Sequence, residues 1–142
     1  MFIKQVSVFI ENEPGRLDNA LRILGEGGID ILSVCIADTA DYGVLRMIIK
    51  DSEKAHRILK EAGFVSRIDD VLAVVVDNKV GSFRKVMQKL HDEGINVKYV
   101  YGLCIPTEGA PIAIRTSDQE KTAEILEREN VRTLSPGDLP EH

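Results

Sequence analysis

The chain has 142 residues, of which 44% are hydrophobic and 29% charged, with a formal net charge of −5. That is enough for one ordinary domain or two small ones, and the acidic balance speaks against a phosphate-backbone binder, which needs a basic face. No apolar run approaches the ~20 residues of a membrane span, and Cys35 and Cys104 form no CxxC motif. With no secretory apolar stretch at the N-terminus, two buried thiols in a reducing cytoplasm are expected.

Lys4 to Ile10 alternates, with Val6, Val8 and Ile10 on one face, which predicts a strand. The stretch "ENEPGRL" follows, and then Leu17, Ala20, Leu21 and Leu24 fall at i, i+3, i+4 and i+7, one stripe of a helix. Gly27-Gly28 supplies a left-handed stop. Ile29 to Ala37 reads as a strand, Asp41-Tyr42-Gly43 as a hairpin turn and Val44 to Lys50 as the returning strand. Ala55, Ile58, Leu59 and Ala62 mark a second helix, and a last strand is predicted near Phe64 to Arg67.

The order then repeats. "VSVFIENEPGRLDNALRILGEGGIDILSV" overlays "LAVVVDNKVGSFRKVMQKLHDEGINVKYV" without a gap at an offset of 66, placing Asn12 on Asn78, Gly15 on Gly81, Leu24 on Leu90 and Gly28 on Gly94. The overlay continues through Gly43 on Gly109 and Ile48 on Ile114. One residue then slips, so that Ile58 and Leu59 match Ile125 and Leu126. A register held this long marks a duplicated unit. In the second copy Phe83, Val86, Met87 and Leu90 form the helix stripe, and Ile95 to Ile105 and Ile112 to Thr116 are strands about a turn at Thr107-Glu108-Gly109. Ser117 to Glu120 has the S-x-x-E form of a capping box, followed by Thr122, Ile125 and Leu126 on a helix and a strand near Val131 to Leu134. The tail "SPGDLPEH" is expected to be irregular.

Two successive β-α-β-β-α-β units predict an α+β fold. Each is a ferredoxin-like, four-stranded antiparallel sheet with two helices on one face, residues 1–68 and 69–142. Ile68, Asp69 and Asp70 are expected to be a short linker. Units of this size bury marginal cores and leave sheet edges open, so packing of the copies on each other or on a second chain is expected.

In both copies the first strand ends in an acidic-Asn pair, Glu11-Asn12 or Asp77-Asn78, before a glycine-bearing loop and a helix. A helix N-terminus suits an anion such as a carboxylate, and an Asn side chain can accept from an ammonium group. The alternative is that Asn12 and Asn78 only cap the helix or tighten the turn.

A β-α-β-β-α-β repeat carrying "ENEPGRLDNALRILGEGGIDI" resembles the ACT domain family over nearly the whole chain. That resemblance implies a small-molecule-sensing regulatory module, associated with enzymes of amino-acid metabolism, with no catalytic domain attached. It places ligands between paired domains, on the loop before the first helix of one and the second strand of its neighbour. The positions implied are Asn12, Glu13, Pro14, Gly15, Arg16 and Leu17, then Asn78, Lys79, Gly81, Ser82 and Phe83, with Asp30, Ile31, Asn96 and Val97 on the second strands. The first loop is favoured, since Val80 replaces its proline and Phe83 its leucine. Glu13 opposes a carboxylate, whereas Arg16 and Lys79 attract one. A free amino acid is the implied ligand, and a homodimer and an amino-acid-metabolism enzyme are the implied protein partners. No cofactor, nucleic acid or membrane is expected.

His56, His91 and His142 stand at unrelated spacings, which gives no metal motif. The serines lack a nucleophile elbow, and the glycines spell neither GxGxxG nor a P-loop. Tyr99 and Tyr101 share a strand face, yet the aromatic and basic pattern of an RNA-binding sheet is missing. The open readings are therefore an amino-acid sensor, a dimerisation or docking module that binds no ligand and, last, a small enzyme of unfamiliar type.

Overall fold

The computed structural model describes residues 2–38 and 41–141, so His142 of the histidine set lies outside the described residues. Its elements in chain order are β1 (Phe2–Glu11), α1 (Arg16–Glu26), β2 (Ile31–Asp38), β3 (Tyr42–Ile49), α2 (Ser52–Glu61), β4 (Ser66–Val76), α3 (Ser82–Asp92), β5 (Val97–Gly102), β6 (Ala110–Thr116), α4 (Gln119–Arg128) and β7 (Arg132–Leu134). The chain divides into two compact units, Lys4–Asp70 and Val71–Pro140, the latter joined by Phe2 and Ile3.

In the first unit β3 pairs antiparallel with β1 and with β2. Val6, Val8 and Ile10 of β1 meet Leu45, Met47 and Ile49 of β3 under Ala20 and Leu24 of α1 and Ala55 and Leu59 of α2. In the second unit β6 pairs with β4 and β5, and β7 lies along β4. Leu72, Val74 and Val76 are covered there by Val86, Ala123 and Leu126. Each unit is thus a β-α-β-β-α-β fold, with one face of the sheet under its helices. These apolar positions recur every second residue on strands and every third or fourth on helices, so burial fixes both the elements and their faces.

All four helices end on one motif. The amide of Ile29 donates to the Leu24 carbonyl, Phe64 to Leu59, Ile95 to Leu90 and Val131 to Leu126, at 2.9–3.0 Å. The residue before each takes a positive φ: Gly28, Gly63, Gly94 and Asn130. Asparagine replaces glycine in the last because its short polar side chain tolerates this region.

Several sequence expectations are corrected. Ile68, Asp69 and Asp70 are not a linker but part of β4. Lys4 Nζ reaches Asp70 at 2.7 Å and Arg67 Nε reaches Asp69 at 3.0 Å, so the two aspartates are paired within a strand they would intrinsically disfavour. The one-residue slip between copies falls earlier than the overlay suggests. Ile10 faces Gly43 and Val76 faces Ala110, so Gly43 matches Ala110 and Met47 matches Ile114, an offset of 67 from β3 and β6 onward. The extra residue therefore lies in the second hairpin, where it does not turn a strand over.

Leu17 and Leu21 are each 37% exposed, so the first-helix stripe buries Ala20 and Leu24 alone, with Ile23 partly covered. Phe83 is likewise exposed. Asp118, not Ser117, caps α4 by accepting from the Lys121 amide, whereas Ser117 Oγ accepts from the Asn96 amide. Tyr42 and Gly43 belong to β3 rather than to a turn. The tail forms a 3₁₀ turn at Pro136–Asp138, and Leu139 is buried. Neither cysteine is fully buried, because Cys35 sits on the edge strand β2 and Cys104 on the loop after β5.

Candidate functional site

The two glycine junctions share one backbone design. In the first, the Glu13 amide donates to the Glu11 carbonyl (2.8 Å), Arg16 to Glu13 (3.3 Å) and Asn19 to Gly15 (2.9 Å). In the second, Lys79 donates to Asp77 (2.9 Å), Ser82 to Lys79 (3.2 Å) and Lys85 to Gly81 (3.1 Å), the same bonds 66 residues on. Gly15 and Gly81 sit at φ 85° and 86°, a left-handed conformation that costs most residues other than glycine about 1 kcal/mol or more. Val80 stands where Pro14 does, fully exposed, and the turn is unchanged.

These glycines are themselves the N-caps of α1 and α3, and no side chain caps either helix. The other two helices are capped by Asp51 and Asp118. Asn12 and Asn78 therefore do not serve as helix caps. The first-turn amides of α1 and α3 carry the partial positive charge of a helix start with no side-chain acceptor on it.

Asn12, Glu13, Pro14, Gly15 and Leu17 are exposed, as are Asn78, Lys79, Gly81 and Phe83, while Arg16 and Ser82 are half-buried. Asp30 and Asn96 are exposed, and Ile31 and Val97 pack against their own cores. Within one unit the two groups are not brought together. β1 and β2 both run antiparallel to β3, and Ile31 lies level with Ile49 whereas Glu11 lies level with Tyr42. Seven residues of strand separate those levels, about 23 Å. A ligand touching both groups requires the second strand of another module.

A groove of about 770 Å³ opens beside the second junction. It is lined by the apolar residues Val75, Val76, Val86 and Val131, by Lys79, Lys85, Lys89 and Arg132, and by Asp77, Glu108 and Glu129. Arg132 Nη1 reaches the hydroxyl of Thr107 at 3.3 Å. Gly109 forms part of the wall. A Cβ there would stand 2.7 Å from the Val76 carbonyl oxygen, so only glycine fits. At the corresponding place in the first unit the Arg16 guanidinium lies over the Phe64 ring, 5.0 Å from its centre, and Arg16 Nε is buried without a hydrogen-bond partner. Sequence reasoning reached Asn78, Lys79 and Ser82 but missed Lys85, Lys89 and Arg132. Comparing the charge of the two copies position by position would have found them.

Away from the groove, Arg128 donates to Glu93 at 2.7 Å, which holds that carboxyl below its usual range and raises the guanidinium. Among the described residues no three His, Cys, Asp or Glu side chains come together as a metal site, and no helix is long and apolar enough to cross a membrane.

A family model described as an ACT domain pair matches residues 1–141. The chain belongs to the ACT domain pair family. Among solved structures it is similar to protein BT0572 from Bacteroides thetaiotaomicron, with 36% identity over 97% of this chain and 95% of that one, TM-score 0.89. It also resembles in fold the regulatory subunit of aspartate kinase from Thermus flavus, at 18% identity, 88% and 90% coverage and TM-score 0.60. No curated protein matches the chain. As an ACT pair, it carries two copies of the strand–glycine–helix junction, each left without a side-chain cap.

Proposed function

We propose that this ACT pair is a non-enzymatic, cytoplasmic regulatory protein that binds a free amino acid and thereby alters its own assembly or the activity of an amino-acid-metabolism enzyme. The observation that carries the reading is the duplicated junction, in which α1 and α3 begin on left-handed glycines with no side-chain acceptor for their first turn. A carboxylate supplies the missing acceptor, and the exposed Asn12 and Asn78 each stand three residues before those glycines. The description of the Thermus flavus structure as a regulatory subunit agrees with this role.

A homodimer fits the first unit, where Leu17, Leu21, Val34 and Ile36 are exposed apolar side chains on α1 and the edge strand β2. A second copy seated there would place a second strand beside the Asn12–Leu17 loop. The same surface favours the alternative of a docking module that binds no small molecule.

A thermal-shift screen against the common amino acids separates the two. A ligand at a hundred times its Kd stabilises by roughly 2.7 kcal/mol. If no amino acid moves the melt, while Gly15→Val still folds and still pairs, the docking reading replaces the sensor.

A further inference from the structure

The two copies differ where the groove lies. Arg16 and Phe64, in contact in the first unit, correspond to Ser82 and Val131 in the second, at offsets of 66 and 67. Phe9 and Tyr42, whose rings lie 5.8 Å apart, correspond to Val75 and Gly109. Arg16 and Phe64, which meet on the helix side of the first unit, are thus replaced by two small side chains that line the groove, and Val75 and Gly109 line it where the first unit carries an exposed aromatic pair.

Charge changes with volume. The groove cations Lys79, Lys85, Lys89 and Arg132 correspond to Glu13, Asn19, Ile23 and Val65, none of them basic. Among the described residues the three lysine side chains have no acid within ion-pair distance, and Arg132 meets the Thr107 hydroxyl and acts electrostatically on the Asp138 carboxylate. Lys85 and Lys89 lie one turn apart on α3 and project to the same side. Four cations beside the apolar side chains of Val75, Val76 and Val131, on a wall that also carries Asp77, Glu108 and Glu129, form an arrangement suited to an anion attached to an apolar body, and the volume lies in the range of small-molecule sites.

We infer that the second unit alone holds an open site for a carboxylate with an apolar body, in the groove between Lys85, Lys89 and Arg132, and that Arg16 and Phe64 close the equivalent site of the first unit from within. The inference deepens the amino-acid reading without depending on it. A free amino acid would add an ammonium group for Asp77, Glu108 or Glu129, whereas a 2-oxo acid would use the cations alone.

The test titrates the full chain with the common amino acids and with the matching 2-oxo acids at millimolar concentration. Binding is read by calorimetry and by backbone amide NMR shifts. The expected result is a ligand that shifts Lys85, Gly109 and Val131 and leaves Arg16, Gly43 and Phe64 in place. Lys85→Gln with Lys89→Gln, on the exposed rim, should weaken it by about tenfold or more. Ser82→Arg with Val131→Phe, which rebuilds the closure, should abolish binding, and the rim variant keeps the test sharp if that pair fails to fold. Binding of 2-oxo acids but of no amino acid would uphold the groove and remove the amino-acid reading. Shifts confined to Asn12–Leu17, unaffected by the lysine changes, would overturn the groove and leave the amino-acid reading standing. Binding by no carboxylate would overturn the groove outright.

Discussion

Arg16 lies with its guanidinium carbon 5.0 Å from the centre of the Phe64 ring, while its own Nε is buried with no hydrogen-bond partner. The two facts pull in opposite directions. A cation over an aromatic face contributes about 0.5–1 kcal/mol, and an unsatisfied buried N–H costs about 1–3 kcal/mol. Arg16→Met, which keeps the packing and drops the donor, should therefore be neutral or stabilising by up to about 1 kcal/mol. Phe64→Ala, at a side chain buried in the first core, should cost about 3–5 kcal/mol. Urea denaturation of the two variants checks the order, and a larger loss at Arg16 would show that charge rather than packing holds this closure.

The glycine junctions make a paired prediction. Gly15 and Gly81 share their φ and have open space where a Cβ would go, so alanine at either should cost the same, about 1 kcal/mol, through backbone strain alone. Gly109→Ala adds a clash with the Val76 carbonyl oxygen to a φ of 90° and should cost distinctly more. Equal losses at all three sites would mean that the hairpin gives way freely.

Leu21 and Leu24 lie three residues apart on one predicted stripe and differ in environment. Leu24 is fully buried and its replacement by alanine should cost about 2–5 kcal/mol, against less than about 1 kcal/mol for Leu21. If the Leu21→Ala loss grows with protein concentration, Leu21 is covered in an oligomer.

Asp138 gives a pH dependence with a definite sign. Its carboxylate accepts from the Ser135 amide at 2.8 Å and from the Ser135 hydroxyl at 3.0 Å, which holds its pKa below the ordinary value. A depressed folded pKa contributes stability above about pH 4 that is lost as the pH falls through the folded value. Asp138→Asn should narrow the difference between the urea midpoints at pH 7 and pH 3. An unchanged difference would remove this carboxylate from the acid response.

Much of the fold is legible in the sequence because burial imposes periods of two and of three to four residues. Val6, Val8 and Ile10 could be assigned to one face, and Leu24 and Leu90 to equivalent depths, without coordinates. The strand through Asp69 and Asp70 could not be read that way. Besides the local pair with Arg67, Lys4 pairs with Asp70 and the Ser7 hydroxyl donates to Asp69, and those two partners on β1 are set by tertiary register rather than by local preference. The placement of the hairpin insertion failed for a related reason: two glycines aligned by type, Gly43 and Gly109, are not the two that pair alike.

At the candidate site the junctions were visible as a repeated string, including the special glycines. The cap assignment was not, since Asp, Asn and Ser all qualify by type and only geometry shows that Asp51 and Asp118 are used while Asn12 and Asn78 are not. Lys85, Lys89 and Arg132 looked like ordinary solvated residues on two separate segments. Only the turn ending α4 at Asn130 brings Arg132 to the groove beside α3.

The groove also has a dynamic consequence. Side chains that would lock α3 against the α4 turn are small in the second unit, so the backbone around Val131 has less to hold it shut than the backbone around Phe64. Amide hydrogens near Asn130 to Arg132 should exchange with solvent sooner than those near Gly63 to Val65. A molecule lodged in the groove would slow that exchange, so that occupancy is reported as a stiffening of one half of a duplicated chain.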